Sequence, residues 1–324
     1  MNGYIATLVF LAYAPLADPG TGSHKSTAKS QEVIAQIEKL GGQVQLDTKR
    51  PGNPVIKVVL HSPKVTDANL KPLEQLPELR ELDLRGTGIG DDGVATLKRL
   101  RHLRKLCLQA TKICNAGLVN IWALNELEEL NLNYTATTDR GLANLEKLTG
   151  LRSLSLTHTK VSDRGLLRVR ALPHLVALGL AESKVTDSGL VYLGGLTKLE
   201  IIALSGTAIT DTGLKEIRGC VRLTTLTLGR TRVTDSGLAY LKGFGKLEYL
   251  TLDGTGITDA GLAHIAGLAR LSILWLNDCR VSDKGLVHLK QLRNLSWLIL
   301  RGTRVTEKGV GELKETLEKV RVDR

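Results

Sequence analysis

Candidate chemistry begins with the string Arg85-Gly-Thr-Gly-Ile-Gly-Asp-Asp-Gly93, dense enough in glycine to cradle a phosphate on backbone N–H groups. No Walker lysine follows it, and no G-x-G-x-x-G stands in a strand-to-helix context, so a nucleotide site lacks its second half. The seven histidines contain neither H-E-x-x-H nor H-x-H. His264 and His288 stand 24 residues apart, but a third metal ligand is missing. Cys107, Cys114, Cys220 and Cys279 show no C-x-x-C and no metal-ligand spacing. No motif calls for a cofactor or a metal.

The elements that must position these groups follow one period. Leucine recurs every 24 residues from Leu79 to Leu295, without an insertion. Counting each repeat from that leucine, position 6 is Leu in all ten units, and position 4 is Leu except at Ile202. Position 9 is Thr except at Ser183 and Cys279, and position 15 is always Gly. A divergent unit, Val55 to Glu78, precedes these ten in the same register. Positions 4 and 6 share one face of a short strand. Positions 16, 19 and 22, such as Leu262, Ile265 and Leu268, form one stripe of a short helix. Ser or Thr at 12 before Asp at 13, as in Thr258-Asp259, predicts a helix N-cap with a dipole partner. A hydroxyl at position 9 is placed to bond backbone of its own or the neighbouring unit. No such unit buries its apolar face alone, so the units must stack, and eleven strands give a wall about 50 Å long.

The pattern L-x-x-L-x-L-x-x-T-x-[VI]-[TS]-D-x-G-L-x-x-L-x-x-L resembles the leucine-rich repeat, in the 24-residue bacterial form of planctomycete-type proteins. The resemblance covers residues 55–318, eleven repeats. Residues 31–54 resemble the cap that opens such proteins, a helix carrying Val33, Ile34, Ile37 and Leu40 followed by a hairpin. Residues 319–324 read as a closing strand or tail. The implied fold is an α/β leucine-rich-repeat solenoid, with a curved parallel sheet inside and short helices outside. The implied function is that of an interaction scaffold without catalysis. The T-D-x-G-L element is also similar to repeats of F-box ubiquitin-ligase adaptors, but residues 18–54 hold a single helix and are too short for an F-box.

Within that frame the glycines of 85–93 fall on repeat positions and serve the architecture. Ser205, Asp253 and His158 fall on strands two or more apart, at least about 9 Å, too far for a triad. Position 10 is basic at Lys64, Lys112, Lys160, Lys184, Arg232, Arg280 and Arg304. These side chains are expected to partner the acids at position 13, such as Asp187, Asp235 and Asp283, rather than to bind a polyanion. Aromatic residues do not interleave with the basic row, which argues against single-stranded nucleic acid.

The inner wall departs from the pattern in one place. Positions 3, 5 and 7 are expected to face solvent, and in the N-terminal half they are polar. In the C-terminal half they bring Tyr249, Ile273, Trp275, Trp297 and Ile299 onto three adjacent strands, beside Asp253, Asn277 and Arg301 at position 7. Aromatic anchors with an arginine nearby have the composition of an interface hot spot. The expected ligand is therefore a protein or peptide, held on the concave face by these eight residues. The alternatives are a structural or glycan-binding cell-surface repeat protein, or an F-box-like adaptor that lacks the F-box.

The composition agrees. Aromatic residues are 3% of the 324, so the core must be built from Leu, Ile and Val, as in a layered repeat. No run reaches 18 apolar residues, so no membrane span is expected. The net charge of +11 favours acidic partners but is spread along the chain. Ile5–Ala14 is apolar and a polar stretch follows Ala17, which suits a secretory signal over residues 1–17 and a linker over 18–30. Export to the periplasm, the cell surface or the medium is the expectation, although no Lys or Arg precedes the apolar run, and a cytoplasmic chain is the alternative.

Overall fold

The computed structural model describes residues 28–324. The expected signal segment and most of the expected linker lie outside the described residues. Two compact units divide the chain near Val161, one holding the described residues 28–161 with Ala171–Leu175, the other Ser162–Arg170 with Val176–Arg324.

The N-terminal unit opens with helix α1, Ala28–Lys39, which buries Val33 and Ile37. The helix starts inside the expected linker rather than at residue 31. Strand β1, Gln43–Leu46, pairs antiparallel with β2, Val55–Val59, so the return strand of the hairpin is the first repeat's own strand. Strands β3 (Glu81–Asp83), β4 (Lys105–Cys107), β5 (Glu129–Asn131) and β6 (Ser153–Ser155) follow in parallel, each stepping 24 residues.

The C-terminal unit repeats the arrangement with β7 (Ala177–Gly179), β8 (Ile201–Ala203), β9 (Thr225–Thr227) and β10 (Tyr249–Thr251). Strands β11 (Ile273–Trp275), β12 (Trp297–Ile299) and β13 (Arg321–Asp323) complete it, all parallel. The leucines at positions 4 and 6, such as Leu250 and Leu252, point into the core and are fully buried. Short helices such as Asp259–Ile265 and Asp283–Leu289 return the chain behind the sheet.

Two features recur along the repeats, a turn at the end of each strand and a joint to the next repeat. Residue 8 of every unit from Gly86 to Gly302 has positive φ (68° and 71° at these two), turning the chain off the strand. The position-9 threonines close that turn within their own repeat, Thr231 Oγ1 donating to Leu228 O at 2.6 Å, and the expected contact between neighbours is seen where Thr255 Oγ1 meets Cys279 Sγ at 3.6 Å. The recurring joint between repeats is made by position 13. Asp259 Oδ1 accepts the Ser282 N–H at 2.7 Å and Oδ2 accepts the Ser282 hydroxyl at 2.6 Å. Gly285 stands over the same carboxylate, and a Cβ there would lie 2.5 Å from Asp259 Oδ1.

This joint corrects the expected pairing of position-10 bases with position-13 acids. Asp163, Asp187, Asp211, Asp235, Asp259 and Asp283 each bond the position-12 hydroxyl and N–H of the next unit, and no ion pair links them to a position-10 base. A rigid donor pair on a neighbouring backbone outcompetes a flexible ammonium or guanidinium head in water. All four cysteines are free.

Candidate functional site

The parallel register carries the sequence-predicted residues into two rows on the sheet face opposite the leucine core. Tyr249, Ile273 and Trp297 share the first row, which continues to Arg321. Thr251, Trp275 and Ile299 share the second, which continues to Asp323. The indole of Trp275 stands edge-on to Tyr249 (centroids 5.7 Å, 64°) and to Trp297 (6.0 Å, 68°). Strands lie about 4.8 Å apart, so rings of this size must lean on their neighbours.

Burial of the second row corrects one expectation. Position 5 does not face open solvent: Trp275 is 8% exposed and Ile299 7%, while Tyr249, Ile273 and Trp297 are half-buried. Burial at position 5 is general, nine of the ten repeats sharing it from Asp83 to Ile299, so the row lies beneath its neighbours along the whole sheet face. Strand β13 adds to the cover. It extends the sheet as expected, but Asp323 Oδ2 accepts the Trp297 Nε1–H at 3.1 Å, and the Arg321 guanidinium lies 5.3 Å over the Trp297 ring.

The polar residues beside the rings have structural partners of their own. Asp253 Oδ1 accepts the Asn277 N–H at 2.9 Å, and Asn277 Oδ1 accepts the Arg301 N–H at 2.9 Å, so two of the three staple their strand to the next. The Arg301 side chain is exposed. Burial raises the pKa of Asp253, helped by the charge of Asp278 and opposed by the Asn277 hydrogen bonds. The Tyr249 hydroxyl is also pushed up, by burial first and then by Asp253.

Three polar atoms in this strip have no partner. Tyr249 OH, Thr251 Oγ1 and Trp275 Nε1 are buried without a hydrogen bond from the protein. Each such atom costs about 1–3 kcal/mol. Thr251 was not among the residues singled out from sequence; its signal is a polar side chain at position 5 directly beside Trp275 on the next strand. The same face of the N-terminal unit differs: Lys57 pairs with Glu81 at 3.2 Å, Lys105 with Glu129 at 3.0 Å, and Asp83 with Arg85 and His61. Burial works against the Asp83 charge, but the Arg85 hydrogen bonds outweigh it and leave its pKa lowered. Among the described residues no group of three His, Cys, Asp or Glu could hold a metal ion, and no helix is long and apolar enough to cross a membrane.

Comparison with known proteins agrees with this geometry. The leucine-rich-repeat family model matches residues 75–98 and 195–217. An internalin from Listeria monocytogenes has a similar structure, with 22% identity over 91% of this chain and 94% of that one and a TM-score of 0.63. A leucine-rich-repeat protein from Leptospira interrogans is also similar, at 17% identity over 78% of this chain and 74% of that one, TM-score 0.54. The comparison with curated proteins finds no match. The chain folds as an α/β leucine-rich-repeat solenoid.

Proposed function

We propose that this leucine-rich-repeat solenoid is a non-enzymatic binding protein that holds a protein or peptide on the aromatic strip of β10–β12. The observation that carries the reading is the cluster of orphaned polar atoms, Tyr249 OH, Thr251 Oγ1 and Trp275 Nε1, beneath half-exposed rings. A partner that slips a hydrogen-bonding group between those rings relieves a cost the free protein carries, and gains ring contact as well. Trp297 and Ile273 supply the apolar contact, and Arg301 stands exposed at the rim.

Panning a displayed random-peptide library on the intact chain tests it. Selected peptides should lose about tenfold in affinity, about 1.4 kcal/mol, against Tyr249→Phe and against Trp297→Ala. Tyr249→Phe should at the same time leave the free protein as stable as the parent or stabilise it, since a buried orphan hydroxyl is removed. Trp275→Ala is avoided because emptying that site costs about 3–5 kcal/mol. Peptides that bind both variants unchanged would place the site elsewhere.

Export is part of the same proposal and rests on the apolar run Ile5–Ala14. Sequencing the N-terminus of protein from its native host should find it near residue 15 or 18. An intact Met1 overturns export.

A further inference from the structure

A different face of the C-terminal unit carries a field of one charge sign. In five consecutive repeats the chain returns from outer helix to strand through positions 19–24, the segments 193–198, 217–222, 241–246, 265–270 and 289–294. These thirty residues contain eight Lys or Arg and no Asp or Glu. The next segment, 313–318, brings Glu315 and Glu318 and ends the field. Scattered surface charge does not sort itself this way.

The one-to-one register of β8 to β12 stacks the segments that lead into these strands one above the next. Lys198, Arg222, Lys246 and Arg270 occupy the last position of four successive repeats, all exposed. Arg218 and Lys242, exposed, and Lys290, half-buried, form a second row at position 20. Between the rows, a Cβ at Gly195, Gly243, Gly245 or Gly267 would meet nothing within 4 Å, so no side chain there holds off a broad surface. Acids occur only at the rim, at Glu200, Glu216 and Glu248, and Glu200 pairs with Arg222 at 3.0 Å. Large apolar side chains stand beside the bases: Val221 within the field is 52% exposed, and at its border Val191 is 56% exposed, Tyr240 37% and Val287 57%.

We propose that this face docks on an anionic lipid surface. Two rows make a plane rather than a line, which suits a bilayer better than a single extended polymer. Exposed valines and a tyrosine beside the bases are the composition that settles at the headgroup boundary. Bases within a Debye length of an anionic leaflet each add attraction. Nucleic acid fits less well, since the field offers neither a stacking platform of rings nor a helix to enter a groove.

The test is sedimentation of the full chain with vesicles of phosphatidylcholine alone and of phosphatidylcholine with phosphatidylglycerol at about three to one. Binding should require the anionic lipid and weaken at about 0.5 M salt. Lys242→Ser/Lys246→Ser/Arg270→Ser should cut it about tenfold, and Lys98→Ser/Arg99→Ser/Arg101→Ser, an equal charge change on the other unit, less than twofold. Val191→Ser/Val287→Ser should weaken vesicle binding and leave heparin binding unchanged. Circular dichroism monitors folding, and glutamine replaces serine at any position that fails it. Equal binding to neutral vesicles, equal loss in the two charge variants, or tighter binding to heparin or duplex DNA than to vesicles would each overturn the proposal.

Discussion

Asp235 grips Thr258 across a repeat boundary, its Oδ1 accepting the backbone N–H at 2.8 Å and its Oδ2 the hydroxyl at 2.5 Å. Gly261 packs against the same carboxylate, where an added Cβ would sit 3.0 Å from Asp235 Cγ and 3.2 Å from Ile257 Cγ2. Gly261→Ala should therefore cost about 1–3 kcal/mol by overpacking. Asp235→Ala should cost about 1–2 kcal/mol through its lost hydrogen bonds. Combined, they should cost about 1 kcal/mol less than the sum, because removing the carboxylate opens the space. Urea unfolding of the four proteins measures this, and strict additivity would break the steric link.

A thiol takes the threonine's place at one joint. Cys114 Sγ–H donates to Asp91 Oδ2 at 2.6 Å, and its N–H to Asp91 Oδ1 at 2.8 Å. Cys114→Thr should keep the joint and raise stability by up to about 1 kcal/mol, a hydroxyl being the stronger donor. Cys114 is also the half-buried thiol of the four, while burial pushes Cys107 up to about 12 and Cys220 up to about 11. Thiol titration of the native protein should find a single accessible group, absent from Cys114→Thr, and three more on unfolding.

The raised pKa of Asp253 predicts a pH dependence of definite sign. The folded state holds that proton more tightly than the unfolded chain, whose carboxylate titrates near the ordinary 3.8. Its charge thus opposes folding at neutral pH, and the opposition fades as pH falls through the raised value and is gone below 3.8. Asp253→Asn preserves an acceptor for the Asn277 N–H. Its melting temperature should exceed the parent's at about pH 7, with the margin closing in acid. A constant margin across the titration would mean that charge is not the cause.

Removing Arg321–Arg324 should cost about 1–3 kcal/mol, because Trp297 loses the Asp323 acceptor and the Arg321 cation, and β12 becomes an open edge. Tryptophan emission should shift to the red as Trp297 meets water. An unchanged spectrum would mean that β13 does not cover the ring in solution.

The 24-residue spacing made eleven strands and their apolar core legible, because alternation at positions 4 and 6 needs no tertiary information. It also brought Tyr249, Trp275 and Trp297 to adjacent strands, since the register never slips. Depth was not legible. Position 5 is buried in nine of the ten repeats, only Asn131 being half-buried, and strand alternation alone does not foretell that. The acids at position 13 posed a choice between a base three residues earlier in the chain and a hydroxyl 23 residues later. Only the rigid closeness of neighbouring backbones decides for the hydroxyl. The basic field at positions 19–24 was visible in the sequence but divided among five repeats, each contributing one or two bases.

From Asp163 to Thr306 the joints of the C-terminal unit share one chemistry, a carboxylate facing a hydroxyl and a glycine. Each seam is therefore interchangeable with the next. Deleting or copying one 24-residue segment at the gene level brings a familiar acid against a familiar alcohol, and the new seam closes without redesign. Length is thereby a cheap variable for this chain to change, whereas the order of the aromatic strands is not, because an insertion between Trp275 and Trp297 would separate rings that no other repeat can replace.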